Sequence, residues 1–467
     1  MAACAAALTL LLAGCRAESP AAAAPERAER PRLAGAAAGR PLLLLTIDTL
    51  RADRLNGYGY ARRTTTPNLD ALLAGGVLFE QAQAPRAATW PALGTVLTGL
   101  YPSGHGAIEN GYGIADEVTT LGEALGAAGY VTGAFLSNMC QANHQGFDAF
   151  ACSGGQDGKT IRRALEWVRS LPDDGRPWFL WVHLFGAHGP YYNGGDLAAR
   201  ELDPGYSGPL GPKKWQLDRV MEEPLALADR DLVHLDALYD AAVIGSDRLA
   251  GHLLDGLGQG GGLDRALVVF AADHGEELYE HNRYLYHACS VYQSTLHVPF
   301  GVVLPGLVPA GGRVPQPVEL VDVAPTVLAL VGIAPPEGLH GVSLVPYLER
   351  PGASGGDGRP AFSEYGSTAI RTVLAGRWKL VVNPEELQPY CVAGAPEGHY
   401  PIAAAELYDL AADPREQHDL AGEQPHRVAE LATLIEQRFR GLRRRVEAQD
   451  VPDELREELR ALGYVAN

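Results

Sequence analysis

An α/β fold with a mostly parallel central sheet, followed by a smaller α+β unit, is predicted by three features of this 467-residue chain. Short unbroken apolar runs recur and close on acids or histidines, amphipathic stretches lie between them, and the texture changes to short alternating strands after about Ser363. Strands buried on both faces read as continuous apolar runs. Their alternation with helices favours a parallel sheet, whose ligands gather at the carboxyl ends of the strands.

In chain order, residues 1–15 contain "AACAAALTLLLAGC" and read as a lipoprotein-type signal, with Cys15 as the lipidated residue after cleavage. The apolar stretch is too short to span a bilayer. The expected location is the bacterial cell envelope, lipid-anchored at Cys15 and facing the periplasm or the exterior. Residues 16–39, rich in Ala, Pro and charge without an apolar period, read as a flexible tether. The catalytic domain is expected over residues 40–362, opening with "PLLLLTID", which closes on Asp48. The pattern returns in "PWFLWVHL" (Pro177 to Leu184), "RALVVFAADHG" (Arg265 to Gly275) and "VPFGVVLPG" (Val298 to Gly306), with the helical stretches "TTLGEALGAAGY" and "TIRRALEWVRSL" interspersed. Residues 363–467 carry "RTVLAGRWKLVV", "AELYDLAADPREQHDLAG" and a helix from about Gln424, read as a small antiparallel subdomain closed by helices.

The 46% hydrophobic and 20% charged composition is globular. Lys and Arg number 38 against 56 Asp and Glu, and the resulting charge of -18 argues against a nucleic-acid partner. One basic run, Arg438 to Arg445, reads as a solvated helix face. Beyond Cys4 and Cys15 the cysteines are Cys140, Cys152, Cys289 and Cys391. None has metal-ligand spacing, and in an oxidising compartment Cys140 and Cys152 could close a short loop, although sequence leaves the connectivity open.

Asp48, Asp273 and His274 follow strand-like runs, and His183 and His188 stand in "WVHLFGAHGPY". Singly, an acid after a strand often caps a helix, and a strand histidine is often a satisfied core group. Together, at one edge of a parallel sheet, they form the kind of rigid oxygen and nitrogen set that a divalent metal requires.

The stretches "LLLLTIDTLRADRLNGYGY", "APRAATWPALGTVLTGLYPSGHG", "HLFGAHGPY", "ADHGEELYEHNRYLYH", "LVDVAPTVLALVGIAPPEGLHGVSLVPYL" and "ELYDLAADPREQHDLA" run in order from about residue 42. Together they resemble the sulfatase branch of the alkaline-phosphatase superfamily, and the resemblance extends to the terminal "LRALGYV". It implies an α/β/α sandwich with a smaller carboxyl-terminal domain, a divalent metal, and hydrolysis of sulfate or phosphate esters through a covalent enzyme intermediate. The family signature is Cys or Ser, any residue, Pro, any residue, Arg, followed after an interval by Thr-Gly. Here Thr89, Pro91, Leu93 and Thr98-Gly99 fill those places. Thr89 thus stands at the nucleophile position, in the first turn of a helix whose N–H groups favour an anion.

The departures shift the expected chemistry. Sulfatases oxidise the Cys or Ser to formylglycine, an aldehyde that threonine cannot form, and Leu93 replaces the supporting arginine. A plain hydroxyl nucleophile favours phosphate or phosphonate esters, with sulfate left open. The resemblance assigns Asp48, Asp273 and His274 to the metal. Thr49 stands where the family has a second Asp, which favours Zn or Mn over Ca, with Ca retained as an alternative. Gly186-Ala187 replaces the usual Asp-Pro before His188, so a second metal stays open. His188 is expected to act on the ester oxygens, and His287 as general acid. His105 and His183 are expected to contact substrate, and Lys379 to pack. The substrate is a small, glycan or lipid anionic ester. Two other readings stand beside this one. Leu93, Thr49 and Ala187 fit a catalytically decayed binding lipoprotein, and the same threonine would serve a phospho-group transferase.

Overall fold

The computed structural model describes residues 33–442, apart from 139, 141–143, 196–200, 223–224, 260, 282–283, 354–357, 367 and 388–400. The signal, Cys15 and most of the tether lie outside the described residues. Its central sheet has eight strands: β1 (Leu42–Ile47), β2 (Val77–Gln83), β3 (Val131–Leu136), β4 (Ala149–Cys152), β5 (Trp178–Leu184), β6 (Leu267–Ala272), β9 (His297–Val303) and β10 (Gly312–Glu319). They are ordered β10-β2-β9-β6-β1-β5-β3-β4. A short hairpin of β7 (Glu277–Leu278) and β8 (Leu285–Tyr286) stands apart.

The apolar runs of the sequence became the sheet centre. Every residue of β1 and β6 is buried, as parallel strands covered on both faces require. β1 runs parallel to both β5 and β6, while β9 is antiparallel to β2 and β6, so the sheet is mostly parallel. Helix Asp157–Ser170 packs on β3 and β5 and against helix Asp229–Gly258, and helix Thr89–Thr98 packs with Val323–Val331. This is the α/β/α sandwich expected. The "TTLGEALGAAGY" stretch forms helix Leu121–Ala127, opened by a capping box between Thr120 and Glu123.

Ordered packing starts before Arg40. Leu33 and Ala37, read from the sequence as tether, are buried, and the Gly35 and Ala37 N–H groups donate to Ala329 and Leu330 carbonyls on helix Val323–Val331. The two buried side chains and these backbone hydrogen bonds seat the segment on that helix.

The carboxyl-terminal sheet is antiparallel, ordered β11 (Ala361–Glu364), β12 (Arg371–Ala375), β13 (Trp378–Val382) and β14 (Ala405–Asp409), and helix Pro425–Phe439 covers it with Leu431 and Ile435. Lys379 is buried at its junction with the catalytic domain, donating to the Val291 carbonyl at 2.7 Å and pairing with Glu416. Arg438, at the start of the basic run, is half-buried rather than on a fully solvated face: its Nε donates to the Tyr101 hydroxyl at 3.0 Å and its Nη2 to the His340 carbonyl at 2.6 Å.

Candidate functional site

Register builds the site. Thr46 of β1 lies level with His183 of β5 and Ala271 of β6, and Ile47 with Leu184 and Ala272. The next residues on β1 and β6, Asp48 and Asp273, therefore emerge side by side at the carboxyl edge, both fully buried. Asp273 Oδ1 accepts from the N–H groups of Thr49 (3.2 Å) and His274 (2.8 Å), whereas its buried Oδ2 has no hydrogen-bond partner. Asp48 Oδ2 accepts from Asn138 Nδ2 at 2.6 Å. Cys140 and Cys152 form a disulfide, the pairing left open by the sequence, and it ties the chain just after Asn138 to the end of β4.

His183 joins the carboxylates. Asp48, His183 and Asp273 each offer a ligand atom within 4.8 Å of the others. Thr46 Oγ1 lies 3.0 Å from His183 Nδ1, accepts from Trp181 Nε1 at 3.0 Å, and sits 3.4 Å from the Val182 carbonyl. One proton assignment satisfies all three contacts: the hydroxyl donates to Val182 and accepts from both ring N–H groups. It leaves a lone pair on His183 Nε2, which is buried without a hydrogen-bond partner. Burial pushes the Asp273 carboxyl up to about 6 and pulls the His183 imidazole down to about 4. A buried acid lacking a counter-charge and a neutral imidazole are forms that a divalent cation takes as ligands, so the residues fit the metal that the sequence leads one to expect.

His274 links this set to the hydroxyl. Its Nδ1 lies 3.0 Å from the Gly275 carbonyl, which turns Nε2 to the site, 3.5 Å from Asp273 Oδ2, 3.7 Å from Asp48 Oδ1 and 3.3 Å from Thr89 Oγ1. Thr89 is the first residue of its helix and fully buried. Leu93, one turn on, belongs to the apolar core.

His287 and His188 continue from His274. The His287 ring centroid lies 4.4 Å from that of His274 and 5.1 Å from that of His188. Asp157 fixes the loop that carries His188, accepting from the N–H groups of Phe185 (2.7 Å) and Gly186 (3.1 Å). Gly186 has φ +57°, and a Cβ there would lie 2.3 Å from Ile47 Cγ2, so the loop can run this close to the end of β1 only with glycine. His105 lies elsewhere. It packs beneath the Thr89 helix, with Nε2 3.1 Å from both Thr95 Oγ1 and the Pro91 carbonyl and Nδ1 accepting from the Ala107 N–H; a Cβ on Gly94 would come within 2.7 Å of the ring.

Two further residues belong to the site, and neither is singled out by local sequence pattern. Glu276 is buried with Oε2 3.1 Å from His287 Nδ1, and burial pushes its carboxyl up to about 7. It stands in the same "ADHGEEL" stretch as two expected ligands, a signal that was available. Asn138 follows the carboxyl end of β3, and only the sheet order brings it to Asp48.

A family model described as Sulfatase matches residues 40–333. Arylsulfatase K of Danio rerio is 28% identical over 213 residues, 44% of this chain; the match spans only 38% of that relative's length. N-acetylglucosamine-6-O-sulfatase of Bacteroides thetaiotaomicron is 23% identical over 493 aligned residues, covering 85% of each chain. A solved structure in complex with its substrate D-Glucosamine-2-N, 6-O-disulfate matches 87% of this chain and 100% of its own, with TM-score 0.68 and 20% identity. The phosphonate monoester hydrolase of Agrobacterium radiobacter matches 86% and 96%, with TM-score 0.68 and 20% identity. At these identities the solved structures show the fold.

Proposed function

The chain belongs to the sulfatase family, and from that premise we propose that it is a metal-dependent hydrolase that cleaves a phosphate, phosphonate or sulfate ester with Thr89 as nucleophile. The carrying observation is the 3.3 Å approach of Thr89 Oγ1 to His274 Nε2, beside Asp48, His183 and Asp273, at the head of a buried helix.

Asp48, Asp273, His183 and His274 would hold the metal, and a set mixing two carboxylates with two imidazoles suits Zn or Mn better than Ca. Bound there, the metal supplies a Lewis acid that lowers the pKa of the threonine hydroxyl and offsets charge on the ester oxygens. Thr89 Oγ1, its proton given up to solvent, attacks the central phosphorus or sulfur as the alkoxide. A new bond forms to Thr89, the bond to the alcohol oxygen breaks, and the neutral His287 ring, which burial keeps from charging, gives its Nε2 proton to that oxygen while Nδ1 takes the proton of the Glu276 carboxyl 3.1 Å away. His188 borders the same space and takes the ester's remaining oxygens. Water then attacks the same atom, giving a proton to His287 Nε2 as Nδ1 returns one to Glu276, and the bond to Thr89 Oγ1 breaks, the threonine regaining its proton from solvent. Threonine cannot become an aldehyde, which favours phosphorus esters over sulfate.

The sulfated sugar that is the substrate of one structural neighbour supports a sugar ester as the substrate class here. Export with lipid attachment at Cys15 remains part of the proposal and is supported by the Cys140–Cys152 disulfide. The test is turnover of the metal-loaded protein on matched aryl phosphodiester, phosphonate monoester and sulfate substrates. Cleavage of a phosphorus ester above sulfate is expected, and inertness toward all three in metal-loaded protein would overturn the proposal.

A further inference from the structure

Leu93 leaves the site without the arginine expected there, and its side chain is fully buried in the apolar core, so that position supplies no cation. Another arginine lies close by. Arg86, three residues before Thr89, is only 3% exposed. Its Nη2 donates to both Glu109 carboxylate oxygens, at 2.8 and 2.6 Å. The guanidinium carbon sits 3.9 Å from the centroid of the Tyr365 ring, and the Tyr365 hydroxyl reaches Cys289 Sγ, two residues past His287, at 3.5 Å. The flanking backbone is pinned, since Pro85 and Ala84 carbonyls accept from the Glu364 N–H and the Ser363 hydroxyl. Arg86 is thereby held between the Thr89 helix and the His287 turn. Its Nε is buried and has no hydrogen-bond partner.

We propose that Arg86 is an anion-binding residue of this site, its guanidinium taking non-bridging oxygens of the ester in place of the arginine lost at Leu93. A buried cation with an unmet donor is costly unless a ligand satisfies it, and the planar guanidinium matches the oxygens of a tetrahedral anion. Glu109 competes with the ester for the guanidinium, and with its side chain 39% exposed it is free to yield. The proposal rests on the reading of the site as an ester hydrolase.

The test titrates inorganic phosphate, and separately inorganic sulfate, into the metal-loaded full chain by calorimetry, comparing wild type with Arg86→Gln, Arg86→Lys and Glu109→Gln. Arg86→Gln should bind the anion about ten- to hundred-fold more weakly, the range for losing a charged hydrogen bond, with Arg86→Lys between it and wild type. Glu109→Gln should bind it more tightly, because the competing carboxylate is gone. If the pair only braces the fold, both single variants melt earlier and neither shifts anion affinity, which overturns the proposal. Should Arg86→Gln fail to fold, Glu109→Gln decides alone, and unchanged or weaker binding counts against Arg86. Wild-type turnover on the ester panel separates the two claims: an active wild type with indifferent variants sinks only the role of Arg86, whereas an inert wild type that binds neither anion sinks the hydrolase reading and this proposal together.

Discussion

Replacing Thr46 by valine asks whether His183 is a metal ligand or a core group. Valine keeps the shape of threonine and removes the hydroxyl that accepts from Trp181 Nε1 and His183 Nδ1, both at 3.0 Å. Two buried N–H groups then lose their acceptor, at about 1–3 kcal/mol each, so a loss of about 2–6 kcal/mol of stability is expected without a cavity term. His183 also loses the contact that fixes its tautomer, and a missing outer partner of a ligating histidine typically weakens metal binding about ten- to hundred-fold. Thr46→Ser is the control: it keeps the hydroxyl and loses one methyl, about 1 kcal/mol. Urea unfolding with chelator present reads the first quantity, and chelator competition on the folded protein reads the second. A destabilised Thr46→Val that holds zinc as tightly as wild type would show that His183 only fills the core, and unchanged stability would refute the hydrogen-bond network itself.

Gly186→Ala must place a methyl 2.3 Å from Ile47 Cγ2 at φ +57°. Left-handed backbone and overpacking together should cost about 2–5 kcal/mol, with activity falling as the loop of His188 shifts; a thermal melt within a degree of wild type would contradict this. Glu276→Gln keeps the size of the side chain and weakens its hold on His287, so cleavage of esters of weakly acidic alcohols should fall about tenfold or more while p-nitrophenyl esters change little. Equal losses on both would argue that Glu276 is merely structural. The buried pair of Glu277 and His281 sets a pH window. Burial pulls the His281 imidazole down, but the Glu277 carboxylate 3.1 Å away overrides it and holds the ring up at about 9. Burial likewise raises Glu277, but His281, Ser290 and Ser294 hold it well below its usual range. Stability from His281 is full below its ordinary value of 6.5 and lost as pH rises toward 9, and stability from Glu277 is present above 4.5 and lost in acid. The urea stability difference between wild type and His281→Gln should therefore be largest near pH 5–6.5 and shrink by pH 9; a difference that stays flat to pH 9 would be the wrong result.

The strands that carry the site were legible because burial on both faces leaves an unbroken apolar run, as in "LLLLTI" before Asp48 and "LVVFAA" before Asp273. The expected grouping of Asp48, Asp273 and His274 needed only that both strands end at one edge. The surroundings of His183 needed more, since it lies within β5 and meets the carboxylates only through its pairing with Thr46 across a parallel register. Asn138 and Glu276 required the sheet order and the hairpin geometry, neither of which is written in local pattern. The sequence predicts a substrate contact at His105, and its place beneath the Thr89 helix depends on Gly94 leaving room for the ring. The disulfide was open in sequence because four cysteines permit several pairings, and the parallel pairing of β3 with β4 brings Cys140 and Cys152 together.

Thr89 is expected to carry the transferred group during turnover. Acid quench of the metal-loaded full chain during turnover, followed by peptide mass spectrometry, should find one phosphoryl or sulfuryl group on the peptide that contains Thr89, and none in a folded Thr89→Ala that no longer turns over. Undiminished turnover by that variant, or the group found on a different residue, would rule out Thr89 as the nucleophile.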